Sequence, residues 1–196
     1  MKNIKYFIQF IFVMFFFGIF KIIGLKNSKY LSGNLMTLLG PLFRSKKIVF
    51  SNLSKAFPNL DDIEKEKISK KMWFNYGRIF AEYMFIKEFR NNPKESNNII
   101  IENPKVLEKI KTYSHPVIFV SGHFNNFELM AMEIERSGID LAAVYRPLNN
   151  KFINPLMENI RTKYICKKQI KKGLTGTKEL LLNFKRGTSI ALMIDQ

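Results

Sequence analysis

The first strong pattern along the chain is an apolar block near its start. Tyr6 to Phe20 runs 15 residues without a charge and carries Phe7, Phe10, Phe12, Phe15, Phe16 and Phe17. As a helix this block is about 22 Å long, short of a hydrocarbon core of about 30 Å. Extending it through Lys21 to Leu25 gives 20 residues, enough to span if Lys21 snorkels. No small-x-small cleavage site follows Phe20, so the reading is an anchor over 1–30 rather than a removed leader. Residues 31–60 read as short helices and turns, with Gly40-Pro41 and Phe57-Pro58 as breaks. From Asp61 to about Ile86 the period becomes helical. Ile68, Met72, Tyr76, Ile79, Phe80 and Tyr83 recur at steps of three and four, one apolar stripe. Asp61 and Glu64 form a capping-box pattern at its start. Residues 90–98 are a polar loop.

From Pro116 the pattern changes to short apolar runs separated by helical ones. Pro116 to Val120 reads as a strand buried on both faces, Leu141 to Tyr145 as a second strand, and Ser189 to Ile194 as a third. Phe127 to Ser137, Asn154 to Tyr164 and Thr175 to Lys185 read as helices, with Pro155 suited to a first turn. Strands alternating with helices predict an α/β domain over 31–196, built on a largely parallel sheet flanked by helices.

Charge adds a constraint. Lys and Arg total 32 against 16 acids, a formal net charge of +16. That suits anionic partners: nucleic acid, an anionic bilayer or an acidic carrier protein. Lys far outnumbers Arg amid many Asn, Ile and Phe, so base composition of the gene is an equal explanation of the charge. No nucleic-acid module is recognisable, and the aromatics form an apolar block instead of alternating with basic residues. Lys2 and Lys5 precede the apolar block, whereas Lys21, Lys26, Lys29, Arg44, Lys46 and Lys47 follow it, a mild bias that favours a cytoplasmic catalytic part. The single cysteine, Cys166, excludes a disulfide framework. Flanking lysines, Lys167 and Lys168, are expected to lower its thiol pKa, yet a lone cysteine among lysines is read as incidental. With two histidines and one cysteine, no metal-ligand spacing is present.

Candidate chemistry follows from what stands after each predicted strand, since open parallel sheets bind ligands beyond their carboxyl ends. The first strand is followed by Ser121-Gly122-His123, the second by Arg146-Pro147, the third by Asp195-Gln196. A base, a cation and a carboxylate therefore converge on one edge. His123 and Glu128 form H-x4-E, which suits a general base with a carboxylate on its second ring nitrogen. Five helical positions differ by about 140° in direction, so the pair requires His123 on the loop before the helix, with Glu128 pointing back. Gly122 permits that turn. Arg146 is suited to gripping a phosphate or carboxylate. Asp195 is read as a cap or as a partner of Arg146, and His115 as structural.

These residues, taken in order, resemble the bacterial lipid A biosynthesis acyltransferases, the late lauroyl and myristoyl transferases. The match is carried by Ser121 to Glu128, Tyr145-Arg146-Pro147, Asn154-Pro155, Glu158 and Asp195-Gln196. Upstream it includes Asn52-Leu53, Phe57-Pro58, Asn75 to Arg78 and Glu82. The resemblance implies a glycerolipid-acyltransferase-like fold behind an N-terminal anchor helix, at the cytoplasmic face of the inner membrane. It implies an acyl carrier protein thioester as donor and a hydroxyl of an anionic, phosphorylated lipid acceptor. His123 removes the hydroxyl proton, Glu128 orients His123, and Arg146, Asn154 and Asp195 bind substrate. Neither a metal nor a dissociable cofactor is expected.

Family members continue well past the Asp-Gln pair, so the resemblance implies either that the chain is incomplete at its C-terminus, with its last strand expected as an exposed edge and its stability reduced, or that the sheet is finished another way. Two other readings stay open. One is a lysophospholipid or glycerol-phosphate acyltransferase, whose motif typically has Asp where Glu128 stands. The other is a non-catalytic, membrane-bound fragment.

Overall fold

The computed structural model of the chain describes residues 2–92 and 99–195. They form two compact units, Met14–Phe85 and Met1–Val13 with Ile86–Gln196.

In the first unit, helix α1 (Lys2–Phe43) contributes its part from Met14 onward, followed by α2 (Lys46–Ala56) and α3 (Asp62–Glu82). α1 is long and apolar enough to cross a membrane. Its helical geometry fails at Gly24 (φ 77°, ψ 167°), a conformation that costs glycine little. Ser28 Oγ lies 3.0 Å from the Phe20 carbonyl and 2.6 Å from that of Gly24, serving acceptors that the break exposes. The break expected at Gly40-Pro41 is absent, because Pro41 sits in the last turn of α1. Gly40 has a different reason: a Cβ there would lie 2.2 Å from the Trp73 ring. A Cβ on Gly33 would meet Phe74 at 2.6 Å, and one on Gly77 the Ser32 carbonyl oxygen at 2.1 Å. These glycines let α1 and α3 approach closely, with Phe17 and Phe20 against Phe80 at 5.4 and 5.9 Å. The capping box at Asp61 and Glu64 is present, with bonds of 2.7 and 3.2 Å. The helix ends at Glu82 in a single 3₁₀ turn, Tyr83–Phe85, so the stripe read as one helix to Ile86 is divided.

The second unit holds α4 (Ile86–Asn91), α5 (Lys105–Lys111), β1 (Ile118–Ser121), α6 (Glu128–Arg136), β2 (Leu141–Tyr145), α7 (Asn154–Ile160), β3 (Lys168–Lys171), α8 (Leu174–Lys185) and β4 (Ser189–Met193). Of the loop expected over 90–98, positions 93–98 lie outside the described residues. The four strands are all parallel in the order β1-β4-β2-β3. This is the α/β sheet flanked by helices that the alternation predicted, with three corrections. β4, expected as an exposed edge, lies between β1 and β2. β1 is an edge instead, and Ile118 and Val120 are 53% and 57% exposed, so that strand is not buried on both faces. β3 is a strand the reading lacked. Ala142, Ile170 and Ile190 form the core between sheet and α8, packed by Leu180 and Phe184. Asn150 ties the start of α1 to this unit: its Nδ2 donates to the Tyr6 carbonyl at 2.9 Å and to Gln9 Oε1 at 3.1 Å. Phe152 packs edge-on to Phe7 at 5.5 Å.

Candidate active site

Parallel strands carry their carboxyl ends to one side of the sheet, and four short sequences emerge there. Gly122-His123 follows β1, Ile194-Asp195 follows β4, Arg146 follows β2 and Lys172 follows β3. Ser121 is in register with Met193, and Ile194 N donates to the Ser121 carbonyl at 3.0 Å. The ladder thus brings His123 and Asp195 together directly beyond its end. Gly122 makes the turn possible by close approach: a Cβ there would lie 2.9 Å from the Phe124 ring and 3.2 Å from Asp195 Oδ2. Asn125, at φ 46°, completes the turn into α6 in a conformation that asparagine tolerates.

Asp195 engages His123 twice. The His123 backbone N donates to Oδ2 at 2.7 Å, and Nδ1 stands 2.7 Å from Oδ1. These bonds from His123, the backbone one first, hold the Asp195 carboxyl below its ordinary range. A carboxylate at Nδ1 selects the tautomer with its proton on Nδ1, leaving the Nε2 lone pair available. Phe127 meets the imidazole edge-on at 4.8 Å, which restrains the ring. The place that the sequence reading assigned to Glu128, and the different roles it assigned to Asp195, are thereby revised: the carboxylate on Nδ1 belongs to Asp195.

Glu128 is the first residue of α6 and is 6% exposed. Its Oε1 accepts from Arg161 Nε at 2.8 Å and from Nη2 at 2.6 Å. Arg161 opens a single π turn, Arg161–Ile165, after α7, where a continuous helix to Tyr164 was expected. Its guanidinium also lies over the Tyr145 ring, 5.7 Å from the centroid. Tyr145 Oη donates to Glu158 Oε1 at 2.5 Å. Burial first, then that bond, raises the tyrosine pKa, while the bond from Tyr145 foremost lowers that of Glu158. Lys171 Nζ stands 3.5 Å from the same carboxylate oxygen. Arg161 carried no signal in the sequence, because its partner Glu128 is 33 residues away along the chain and Arg161 itself belongs to no short motif.

His123, Glu128, Arg146, Arg161 and Lys172 all line one partly open cavity of about 400 Å³, with apolar walls from Ala143 and Leu192 among others. Asn154 is not among its lining residues. Its Oδ1 accepts from Leu148 N at 2.8 Å, fixing the loop that follows Arg146. His115 stacks on Tyr113 at 5.2 Å. Cys166 is buried with its Sγ 2.9 Å from the Leu141 carbonyl oxygen. Burial pushes its thiol up to about 11, opposite in direction to the effect expected of the flanking lysines. Among the described residues no group of three or more His, Cys, Asp or Glu is placed to hold a metal ion.

The arrangement can do base chemistry at an exposed histidine beside an apolar cavity with a cationic far side. Comparisons with curated proteins and with solved structures gave no match. Across residues 1–196, the sequence matches the family described as bacterial lipid A biosynthesis acyltransferase, and the chain belongs to that family of acyltransferases.

Proposed function

We propose that this chain transfers a fatty acyl group from an acyl carrier protein thioester to a hydroxyl of a lipid A precursor, with His123 as general base. The observation that carries the reading is the pairing of His123 Nδ1 with Asp195, with His123 itself in the lining of the cavity. Nε2 takes the proton of the acceptor hydroxyl as its oxygen attacks the thioester carbonyl. Collapse of the tetrahedral intermediate breaks the carbon–sulfur bond, and the imidazolium returns its proton to the departing thiolate. The products are an ester and a free thiol, with no acyl-enzyme and no metal or dissociable cofactor required. Asp195 stabilises the imidazolium and keeps Nε2 facing the substrate. Glu128 acts one step away, as a positioning residue that holds Arg161 and the cavity wall.

The net charge of +16 suits an acidic carrier and an anionic acceptor. The apolar helix supports membrane anchoring, and we assign the catalytic part to the cytoplasmic side of the inner membrane. A lysophospholipid is the competing acceptor. The test is acyl transfer by the purified chain in detergent, with acyl carrier protein thioesters and both acceptors offered together. Transfer to the lipid A precursor that His123→Ala abolishes supports the reading. Transfer to the lysophospholipid alone, or transfer unaffected by His123→Ala, overturns it.

A further inference from the structure

The cation that the sequence reading singled out, Arg146, has a neighbour that it did not. Tyr145 and Lys171 are register partners in the parallel β2–β3 ladder. Lys172 N donates to the Tyr145 carbonyl at 2.8 Å, carrying the ladder one step further. Arg146 and Lys172 therefore leave adjacent strand ends side by side, and both line the cavity that holds His123. Other cations nearby are compensated: Arg161 by Glu128, Lys171 by Glu158, and Lys168 by Asp140. Among the described residues no carboxylate pairs with Arg146 or with Lys172. Two like charges side by side in the lining of that cavity, with no carboxylate paired to either among the described residues, form a site complementary to an anion brought by a ligand.

We propose that Arg146 and Lys172 form a clamp for a phosphate group of the substrate, an assignment that rests on the acyl-transfer reading above. A guanidinium fork engages two oxygens of a phosphate, and a lysine ammonium adds a point charge beside them. The sheet sets the reach. With about 4.8 Å between strands, β2 lies about 10 Å and β3 about 14 Å from β1, whose end carries His123. The clamped phosphate is therefore remote from the bond being made and identifies its carrier by length as well as charge. Two carriers have this chemistry: a phosphorylated acceptor lipid, and the phosphodiester of the donor's carrier arm.

The experiment compares wild type, Arg146→Ala, Lys172→Ala, the double variant and Lys172→Arg. Initial rates are taken with phosphorylated and dephosphorylated acceptor, and with acyl carrier protein and acyl-pantetheine as donors. Each alanine raises KM about tenfold for the phosphate-bearing partner, leaves kcat unchanged, and has no effect on the phosphate-free form of that partner. Lys172→Arg retains binding. An acceptor-specific effect identifies the lipid, and a donor-specific effect the carrier arm. A KM that does not move in the double variant, with either partner, overturns the clamp. Binding of dodecyl phosphate in neutral detergent micelles, read against dodecanol, is measured on the same proteins. It separates the two claims. Phosphate-dependent binding lost in the double variant upholds the clamp even if wild type transfers no acyl group, whereas equal binding by both proteins overturns it.

Discussion

Asp195 holds His123 at two points, its two carboxylate oxygens each 2.7 Å from a nitrogen of the histidine. One bond is to the ring and the other to the backbone. The ring bond fixes a tautomer, and the backbone bond fixes where the residue stands beyond the strand. Substituting Asp195 by Asn keeps the size and the backbone contact but removes the charge that stabilises an imidazolium. Acyl-transfer kcat is expected to fall by about 10²–10⁴-fold, the range for losing general-base assistance, with KM little changed. His123→Ala falls to the same floor, and the double variant is no worse than either single one. Additive losses in the double variant would mean that the two residues act separately.

The same contact predicts a pH dependence of stability. The Asp195 pKa is lowered in the folded chain, first by the bond from the His123 backbone and then by that from its ring. A carboxylate with a depressed folded pKa contributes fully above its unfolded value, about 3.9 for aspartate. That contribution disappears as pH falls through the lower folded value. Urea unfolding of wild type and Asp195→Asn is therefore expected to differ by a constant amount at neutral pH. The difference should narrow only below about pH 4. A gap that persists unchanged at the acid end would show that ionisation of Asp195 is not what stabilises the contact.

Glu128 and Arg161 form the second carboxylate pair of the site, and their burial makes its energetics different. Their side chains are 7% and 11% exposed. Removing one partner leaves a buried charge, at a cost of about 3–5 kcal/mol. Glu128→Ala and Arg161→Ala are both expected to lower stability by that order. The double substitution Glu128→Leu with Arg161→Met should recover much of it, since an apolar pair leaves no orphaned charge. His123→Ala, at an exposed position, should change stability little while abolishing transfer. Chemical denaturation read beside activity separates the two behaviours. A stable but inactive Glu128→Ala would place Glu128 in the chemistry rather than in the support of the cavity.

The elements that the hydrophobic pattern revealed are those whose burial is spread over several side chains. Leu141 to Tyr145 stands as read because the strand is central, and its first two residues are wholly enclosed. β3 was invisible because three of its four residues are Lys168, Gln169 and Lys171. One inward Ile170 beside alternating lysines has the look of a loop. β1 was legible as a strand but not as an edge, since sequence period reports neither strand order nor exposure. Likewise, H-x4-E correctly marked the loop and the helix start. Which carboxylate reaches His123 depended on β4 inserting next to β1, a long-range pairing with no local signature. Gly40-Pro41 misled for the converse reason: a glycine that makes room for Trp73 is written the same way as one that makes a turn.

Cys166 offers a direct check on the core beneath β2 and β3. It is 1% exposed, and burial foremost raises its thiol pKa to about 11. At pH 8 the native thiol is thus both inaccessible and almost wholly protonated, whereas the unfolded thiol, near 8.5, is substantially ionised. Iodoacetamide is expected to leave the native protein unmodified and to alkylate it promptly in strong denaturant, read by intact mass. Rapid labelling without denaturant would mean that the strands carrying Leu141 and Lys168 open readily.

Glycine substitutions in the helical unit should separate packing from propensity. A Cβ on Gly77 would sit 2.1 Å from the Ser32 carbonyl oxygen, whereas at Gly18 nothing lies within 4 Å. Alanine is favoured over glycine within a helix by about 1 kcal/mol, so propensity alone predicts a gain at both positions. At Gly77 the opposing atom is backbone and cannot rotate away, so the helices must separate. Overpacking of this kind costs about 1–3 kcal/mol and outweighs the propensity gain. Gly77→Ala is therefore expected to lower the thermal midpoint in detergent, while Gly18→Ala leaves it unchanged or raises it. Equal midpoints for the two variants would mean that α1 and α3 do not approach as closely at Ser32 as this packing requires.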